Sequence, residues 1–478
     1  MPREREIDFA DRMTEHEALM WNIEKDPWLN PSGSMVITLD RPLDIDKFRR
    51  RMAKSVLTVP RLHQRVEPGF GRFTNPTWVV AEDIELEHHV RHMALPDGEN
   101  SFADLWALAT RIGQTPFDRT RPLWEMHVVD NVEGGRGAIV AKLHHSITDG
   151  AGAMRMSLAY LDFRRKVRKD SATDLAKELA AIAEASTSEA APADVAKDAA
   201  KQLGRLARRN LGTARAVAAE VATWGADPER ITDTVGRVGR EVNSMRDQLG
   251  FDGEASGGSP LWTQRSRQRH LEVLDLDLDA VKTAAKSMDG TVNDIFVTGA
   301  VHGAAKYHLD RGVEPVTLNT SFVVSTKAKG DRSGTNSFTP AIVAAPAGAM
   351  SAAERFDHLQ RLMAARRKSI SGGGLLAGAS AMVNLMPTSV VTRAARAQGA
   401  RIDLATSNFR GSPVTVYVAG AKVVAMYTLG PVAGTAFNLT TLSYDGELQM
   451  GLHVDPVAVE APADLRDCIA HAYEELLS

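Results

Sequence analysis

A chain of 478 residues with 44% hydrophobic and 24% charged residues has the composition of a folded globular protein and exceeds what one ordinary core fills, so two substantial domains are expected. A formal net charge of −3 excludes a dedicated nucleic-acid binder, which carries a basic excess. The single cysteine, Cys468, excludes an intramolecular disulfide and a thiolate metal cluster, and fits a reducing cytosol.

The chain opens with "MPREREIDFADRMTEHEALMW", a charged stretch without the apolar core of a signal peptide. "GSMVITLD" then reads as a strand, "DIDKFRRRMAKSVLTVP" as a helix capped by Asp44, and "SFADLWALATRIGQTPFD" as a second helix. Before that second helix, "IELEHHVRHMALP" holds His88, His89 and His92 beside acidic residues; surface or boundary histidines are expected there. "LWEMHVVD" and "GAIVAKLHH" read as strands of a hairpin closed by the glycine-rich "NVEGGRG". Helical pattern resumes in "GAMRMSLAYLDF".

From 166 to 262 alanine and charge dominate, which suggests a helical connector between domains at 1–165 and 263–478. Within it, "KQLGRLARRNLGTARAVAAEVATW" has basic residues set among leucines and valines. Such a helix either lies on an anionic membrane surface or packs on its own protein with a solvated basic face. Beyond 265, "HLEVLDLDLDAVKTAAKSM" predicts a strand and a helix, "TVNDIFVTGAVHGAAKYHL" a long helix, and "VTLNTSFVV" a strand. The tail reads as consecutive antiparallel strands with a turn at "YDGE". Two uncharged windows, 369–392 and 423–444, are long enough to span a bilayer, but their glycines and prolines predict short strands and loops. Cys468, in "LRDCIAHAYEELL", reads as a buried helix residue.

The chemistry concentrates in "AKLHHSITDGAGAM". Adjacent His144 and His145 end a strand-like run, and Asp149-Gly150 opens a helix-like one, so the pair sits where a rigid strand meets a loop. Acyl transfer to a hydroxyl needs a base that is neutral near pH 7. Imidazole, with an ordinary pKa near 6.5, qualifies and contributes about 10²–10⁴ in rate. Strand alternation puts one histidine on each face and leaves open which is the base. Asp149 is either the orienting carboxylate of a triad or, as favoured here, a structural residue that pairs with an arginine or caps amides, with Gly150 allowing a tight path. The other histidines lack metal-ligand spacing, and the glycines lack a nucleotide-binding pattern, so no metal or cofactor is expected.

"LHHSITDG" resembles the signature of the HHxxxDG acyltransferases, and the surrounding chain is similar to the bacterial wax ester synthase/diacylglycerol acyltransferase branch. "FDRTRPLWEMHVVD" is similar to that family's PLW block (Pro122, Leu123, Trp124), and "TVNDIFVTGA" to its ND block (Asn293, Asp294). "TSNFRGSP" resembles the block holding Ser407 and Asn408, and "LSYDGELQMGLHVD" its closing strand. The resemblance implies an α/β (α+β) fold of two chloramphenicol-acetyltransferase-like sandwich domains, with an active-site tunnel between them. It implies that His145 is the general base, that His144 supports it, and that Asp149 holds the loop. It implies direct attack of the hydroxyl on the thioester, without an acyl-enzyme. Asn293 would position groups near His145, and Pro122 and Trp124 would wall the motif. Where the family has a Ser-x-Arg run this chain has "STKAKGDRSGTNS", with Ser325 and Asn336 in the corresponding places.

The function so implied is acyl-CoA-dependent O-acyl transfer to diacylglycerol or a long-chain alcohol, giving triacylglycerol or wax ester. The expected setting is cytoplasmic, with the inner membrane face or lipid droplets as candidate surfaces. Two alternatives stay open. One is transfer to another hydroxyl or amine, as in condensation domains, although these normally accompany carrier domains and none is read in the 478 residues. The other is a weakly active lipid-binding or droplet-associated protein.

Overall fold

The computed structural model describes residues 9–69, 75–96, 101–166, 173–188, 258–325, 338–370, 388–431 and 433–478. The first half runs α1 (Glu15–Ile23), β1 (Ser32–Leu39), α2 (Ile45–Thr58), α3 (Pro60–His63), β2 (Gln64–Glu67), β3 (Thr77–Val80) and α4 (Leu86–His89). It continues with β4 (Val90–Ala94), α5 (Phe102–Gln114), β5 (Trp124–Val132), β6 (Arg136–His144), α6 (Gly150–Ser157), β7 (Leu161–Asp162) and α7 (Leu175–Ser188). The second half opens with β8 (His270–Asp277), α8 (Leu278–Ser287), α9 (Val292–Leu309), β9 (Thr317–Ser325), β10 (Phe338–Pro346) and α10 (Ala352–Ile370). It closes with α11 (Thr388–Arg401), β11 (Leu404–Arg410), β12 (Tyr417–Val418), β13 (Ala421–Leu429), β14 (Phe437–Tyr444), β15 (Glu447–Val454) and α12 (Pro462–Leu477).

Local chemistry explains these boundaries. The Asp44 carboxylate accepts from Lys47 N–H at the start of α2, and Thr291 and Asp294 form a reciprocal capping box at the start of α9. The β5–β6 loop turns through Gly134 and Gly135 at φ +74° and +69°, and the β14–β15 turn through Asp445 and Gly446 at +48° and +94°. Two consecutive positive φ values are what the two-residue β14–β15 hairpin of right-handed twist requires, whereas the β5–β6 loop runs through three residues between the paired Val132 and Arg136. The helix expected over 152–163 is shorter, because the chain enters the two-residue strand β7 at Leu161.

Strands assemble into a seven-stranded sheet, β4-β5-β6-β1-β13-β12-β7, and a six-stranded sheet, β10-β9-β11-β14-β15-β8. Strands β12 and β13 come from the second half of the sequence yet lie in the first sheet. There β13 pairs antiparallel with β1, Val36 opposite Tyr427. The sheets also approach closely: a Cβ added to Gly451 on β15 would stand 2.1 Å from the Thr428 carbonyl oxygen on β13. One core, around Phe296, Phe322, Phe356 and Tyr473, belongs to the second half and includes Trp262, near the end of the stretch read as connector. Another, around Phe48, Trp124, Ile139 and Ile147, draws Val416, Val418, Val423 and Met426 from the second half into the first.

The window 423–444 forms β13 and β14, as its pattern predicts. The window 369–392 departs from expectation. Its described ends belong to α10 and α11, helices rather than strands or loops; the rest lies outside the described residues. The basic stretch 201–224 and Asn336 also lie outside them. Cys468 is buried on α12, donates to Asp310 at 3.6 Å, and has its thiol pushed up to about 11 by burial, so it stays protonated. Among the described residues, no helix is long and apolar enough to cross a membrane.

Candidate active site

Strand β6 ends at His144 rather than continuing to His145. The His144 N–H donates to the Leu123 carbonyl at 3.1 Å, and the His145 N–H donates to the Pro31 carbonyl at 3.1 Å. Consecutive amides are therefore fastened in opposite directions, to the PLW block and to the residue before β1. The Ile147 N–H then donates back to the His144 carbonyl at 2.9 Å. Asp149 caps α6, its Oδ1 accepting from the Gly152 N–H at 2.7 Å. Only glycine fits at 152, because a Cβ there would stand 1.7 Å from Thr148 Oγ1.

The two imidazoles meet different surroundings. His144 is fully buried, with Trp21 and Phe117 each 6.3 Å away edge-on. Its Nδ1 accepts from the Ser146 N–H at 3.0 Å and lies 2.7 Å from Ser146 Oγ. Its Nε2 is 3.5 Å from Glu24 Oε2, and Glu24 lies 3.6 Å from Arg119. Burial pushes the Glu24 carboxyl up, but His144, Arg119 and Lys142 together hold it below the usual range, so it is ionised.

His145 is partly exposed, with its Nδ1 sealed from solvent. Its Nε2 lies 3.4 Å from where a Cβ on Gly33 would stand, so a side chain at position 33 would crowd that nitrogen. Burial, then the neighbouring His144, push its pKa down to about 4; Asp149 acts in the opposite direction and His16 adds to the lowering. The ring is therefore neutral at pH 7 and able to take a proton.

The PLW block supports the motif from behind. Pro122 and Trp124 are buried, Trp124 pairs with Leu143 across β5 and β6, and its Nε1 donates to Leu62 O at 2.8 Å. His89 corrects the expectation of a surface histidine. It is 1% exposed, stacks on Trp124 at 4.5 Å between ring centres, and joins its Nδ1 to Trp124 O at 2.8 Å. His88 is half-buried, and His92 is exposed beside Asp130.

From the second half, the Phe409 ring on β11 abuts Gly150, 3.3 Å from its Cβ position. Ser407 shares a strand face with Phe409, and Asn408 takes the other face. The sequence-predicted Ser407 thus comes to the side that meets the motif loop. Asp294 is engaged elsewhere, in its capping box and in an ion pair with Arg367 at 3.3 Å; Asn293 sits beside it on the first turn of α9. Ser325 ends β9 opposite Phe338.

Sequence reasoning missed His16, Glu24, Gly33 and Phe409. Each acts through a contact remote in the chain, and no spacing announces it. Among the described residues, no group of three His, Cys, Asp or Glu side chains could hold a metal ion.

The wax ester synthase/diacylglycerol acyltransferase catalytic domain matches residues 13–296, and the C-terminal domain of the same family matches 335–477. The chain belongs to this family. It is an acyltransferase. A Mycobacterium tuberculosis protein named as a candidate diacylglycerol O-acyltransferase is 27% identical over 483 residues, covering 98% of this chain and 92% of that one. The solved wax ester synthase/diacylglycerol acyltransferase from Marinobacter aquaeolei VT8 is similar in fold, with a TM-score of 0.62 at 18% identity, covering 97% of this chain and 98% of that chain. The first condensation domain of the calcium-dependent antibiotic synthetase also shares the fold, with a TM-score of 0.56 at 15% identity over 98% of this chain and 96% of that one. The expected two-sandwich α/β architecture is thus that of the family and of condensation domains.

Proposed function

We propose that this acyltransferase moves a long-chain acyl group from acyl-CoA to the hydroxyl of diacylglycerol or a fatty alcohol, with His145 as general base. The observation that carries the reading is a neutral imidazole whose Nε2 lies beside Gly33, on a loop that meets β11 of the other half. In the proposed step the acceptor hydroxyl gives its proton to His145 Nε2 as its oxygen forms a bond to the thioester carbonyl carbon. The carbon–sulfur bond then breaks, the imidazolium returns the proton to the departing thiolate, and free CoA leaves. No covalent enzyme intermediate is needed, and no cofactor enters beyond acyl-CoA as co-substrate.

The Asp149 carboxylate supports this role twice. It caps the helix that follows the loop, and its charge favours the transient imidazolium. His144, Trp124 and Pro122 hold the strand end, while Ser407 serves the substrate side from β11; Asn408, on the opposite face, is assigned a supporting role on the family resemblance. Asn293 and Ser325 are assigned to substrate contacts on the family resemblance. Peripheral attachment to a membrane or droplet through 201–224 is a separate arm of the proposal.

The test incubates purified protein with long-chain acyl-CoA and, in turn, diacylglycerol, a fatty alcohol and a fatty amine, following CoA thiol release and the product. Release that depends on a hydroxyl acceptor is expected. Release only with the amine would transfer the reading to condensation-like chemistry, and no release with any acceptor would leave a lipid-binding protein.

A further inference from the structure

His144 is the member of the pair that the proposed reaction does not use, and the contacts that fix it reach across three segments. A backbone N–H only donates, so the bond from Ser146 N–H at 3.0 Å requires a bare Nδ1. In a neutral ring the proton then sits on Nε2, which faces the ionised Glu24 carboxylate at 3.5 Å. The opposite tautomer would set two donors against each other at Ser146 and leave Nε2 a bare acceptor beside an anion. Glu24 has its own support. Arg119 lies 3.6 Å from it, donates to Trp21 O at 3.0 Å, and stacks 3.3 Å from the centre of the Trp21 ring. The end of α1, the approach to the PLW block and the end of β6 are thereby tied together beneath the base. A loosened His144 ring would free the turn closed by Ile147 N–H, and His145 hangs on that turn.

We propose that Glu24 is a positioning residue for acyl transfer: its carboxylate holds the His144 imidazole in the Nε2–H form and so fixes the strand end that aims His145. This rests on the reading of His145 as the base. Outer-shell partners that orient imidazole ligands at metal sites typically cost about 10–100-fold in activity when removed, and the Glu24 contact orients an imidazole in the same way.

The experiment uses the full chain with Glu24→Leu and Glu24→Gln, each checked for a cooperative thermal melt. The readouts are kcat and KM for CoA release and the ¹⁵N-histidine spectrum, with the His144 ring assigned against His144→Gln. Glu24→Leu is expected to lower kcat by roughly 10–100-fold with a far smaller change in KM. It should also turn the His144 signal from one Nε2–H tautomer into a mixture. Glu24→Gln, which keeps an oxygen to face Nε2 but not the charge, should keep the Nε2–H signature and more of the rate. A folded Glu24→Leu with wild-type kcat overturns the proposal, as does a lowered kcat with the His144 tautomer unchanged. Where the leucine variant fails to fold, Glu24→Ala, which admits water, carries the same expectations. Because the tautomer spectrum does not depend on turnover, it still reports on Glu24 if no acceptor supports CoA release, an outcome that would instead end the acyl-transfer reading.

Discussion

His145 and His89 have in common a pKa pushed down to about 4, chiefly by burial, and only one of them is offered as chemistry. The difference is geometric. His89 spends its Nδ1 on the Trp124 carbonyl and its face on the indole, whereas His145 keeps Nε2 against a glycine. A neutral imidazole is therefore common property, and a place on the motif loop with Nε2 beside Gly33 is the distinguishing one. The adjacent pair, the Asp-Gly turn and the PLW block were all legible in "LHHSITDG" and "RPLW". Glu24 and His16 were not, because their link to the motif exists only after α1 docks. The low pKa has a kinetic consequence. The basic form dominates above the pKa and is lost as pH falls through it, so kcat/KM should stay level from pH 7 and fall below pH about 4. An acid limb near 6.5 would mean that the ring is solvated like a free histidine.

At the scale of elements, caps and turns followed from local sequence. Asp44, Thr291 with Asp294, and Asp445-Gly446 each satisfy a backbone demand set within four residues. The same holds for Asp149 at α6, where the structural option describes the observed bond to Gly152 N–H. Its two roles separate by substitution. Asp149→Asn keeps an acceptor at the cap and should leave stability to urea nearly unchanged, whereas Asp149→Ala should cost about 1 kcal/mol. Asp149→Asn should still slow CoA release, since the carboxylate that favours a protonated His145 is gone. Full activity in Asp149→Asn would reduce Asp149 to a cap alone. Boundaries set by long-range pairing were less legible: the helix after the motif stops at Ser157 because the next residues join β12, more than 250 positions away.

The whole molecule is joined by a strand whose destination no local pattern could give. Alternation in "AKVVAMYTL" announces a strand but not that it leaves its own half to pair with β1 and brush β15. Membership of the family was legible from the motifs, while the route by which the halves interlock needed coordinates. That junction makes a firm stability prediction. Gly451→Val would force a side chain into the Thr428 carbonyl at a point already 2.1 Å from the Cβ position, so unfolding stability should drop by about 1–3 kcal/mol or more. An unchanged melting temperature would mean that β13 and β15 do not approach as described.

The measurement closest to the centre of the account is CoA release by His145→Ala beside the wild-type chain, with long-chain acyl-CoA and the preferred acceptor at pH 7. With His145 as general base, kcat should fall by about 10²–10⁴ while the thermal melt stays that of wild type, the share a general base supplies. Turnover equal to wild type in a folded His145→Ala chain would contradict it.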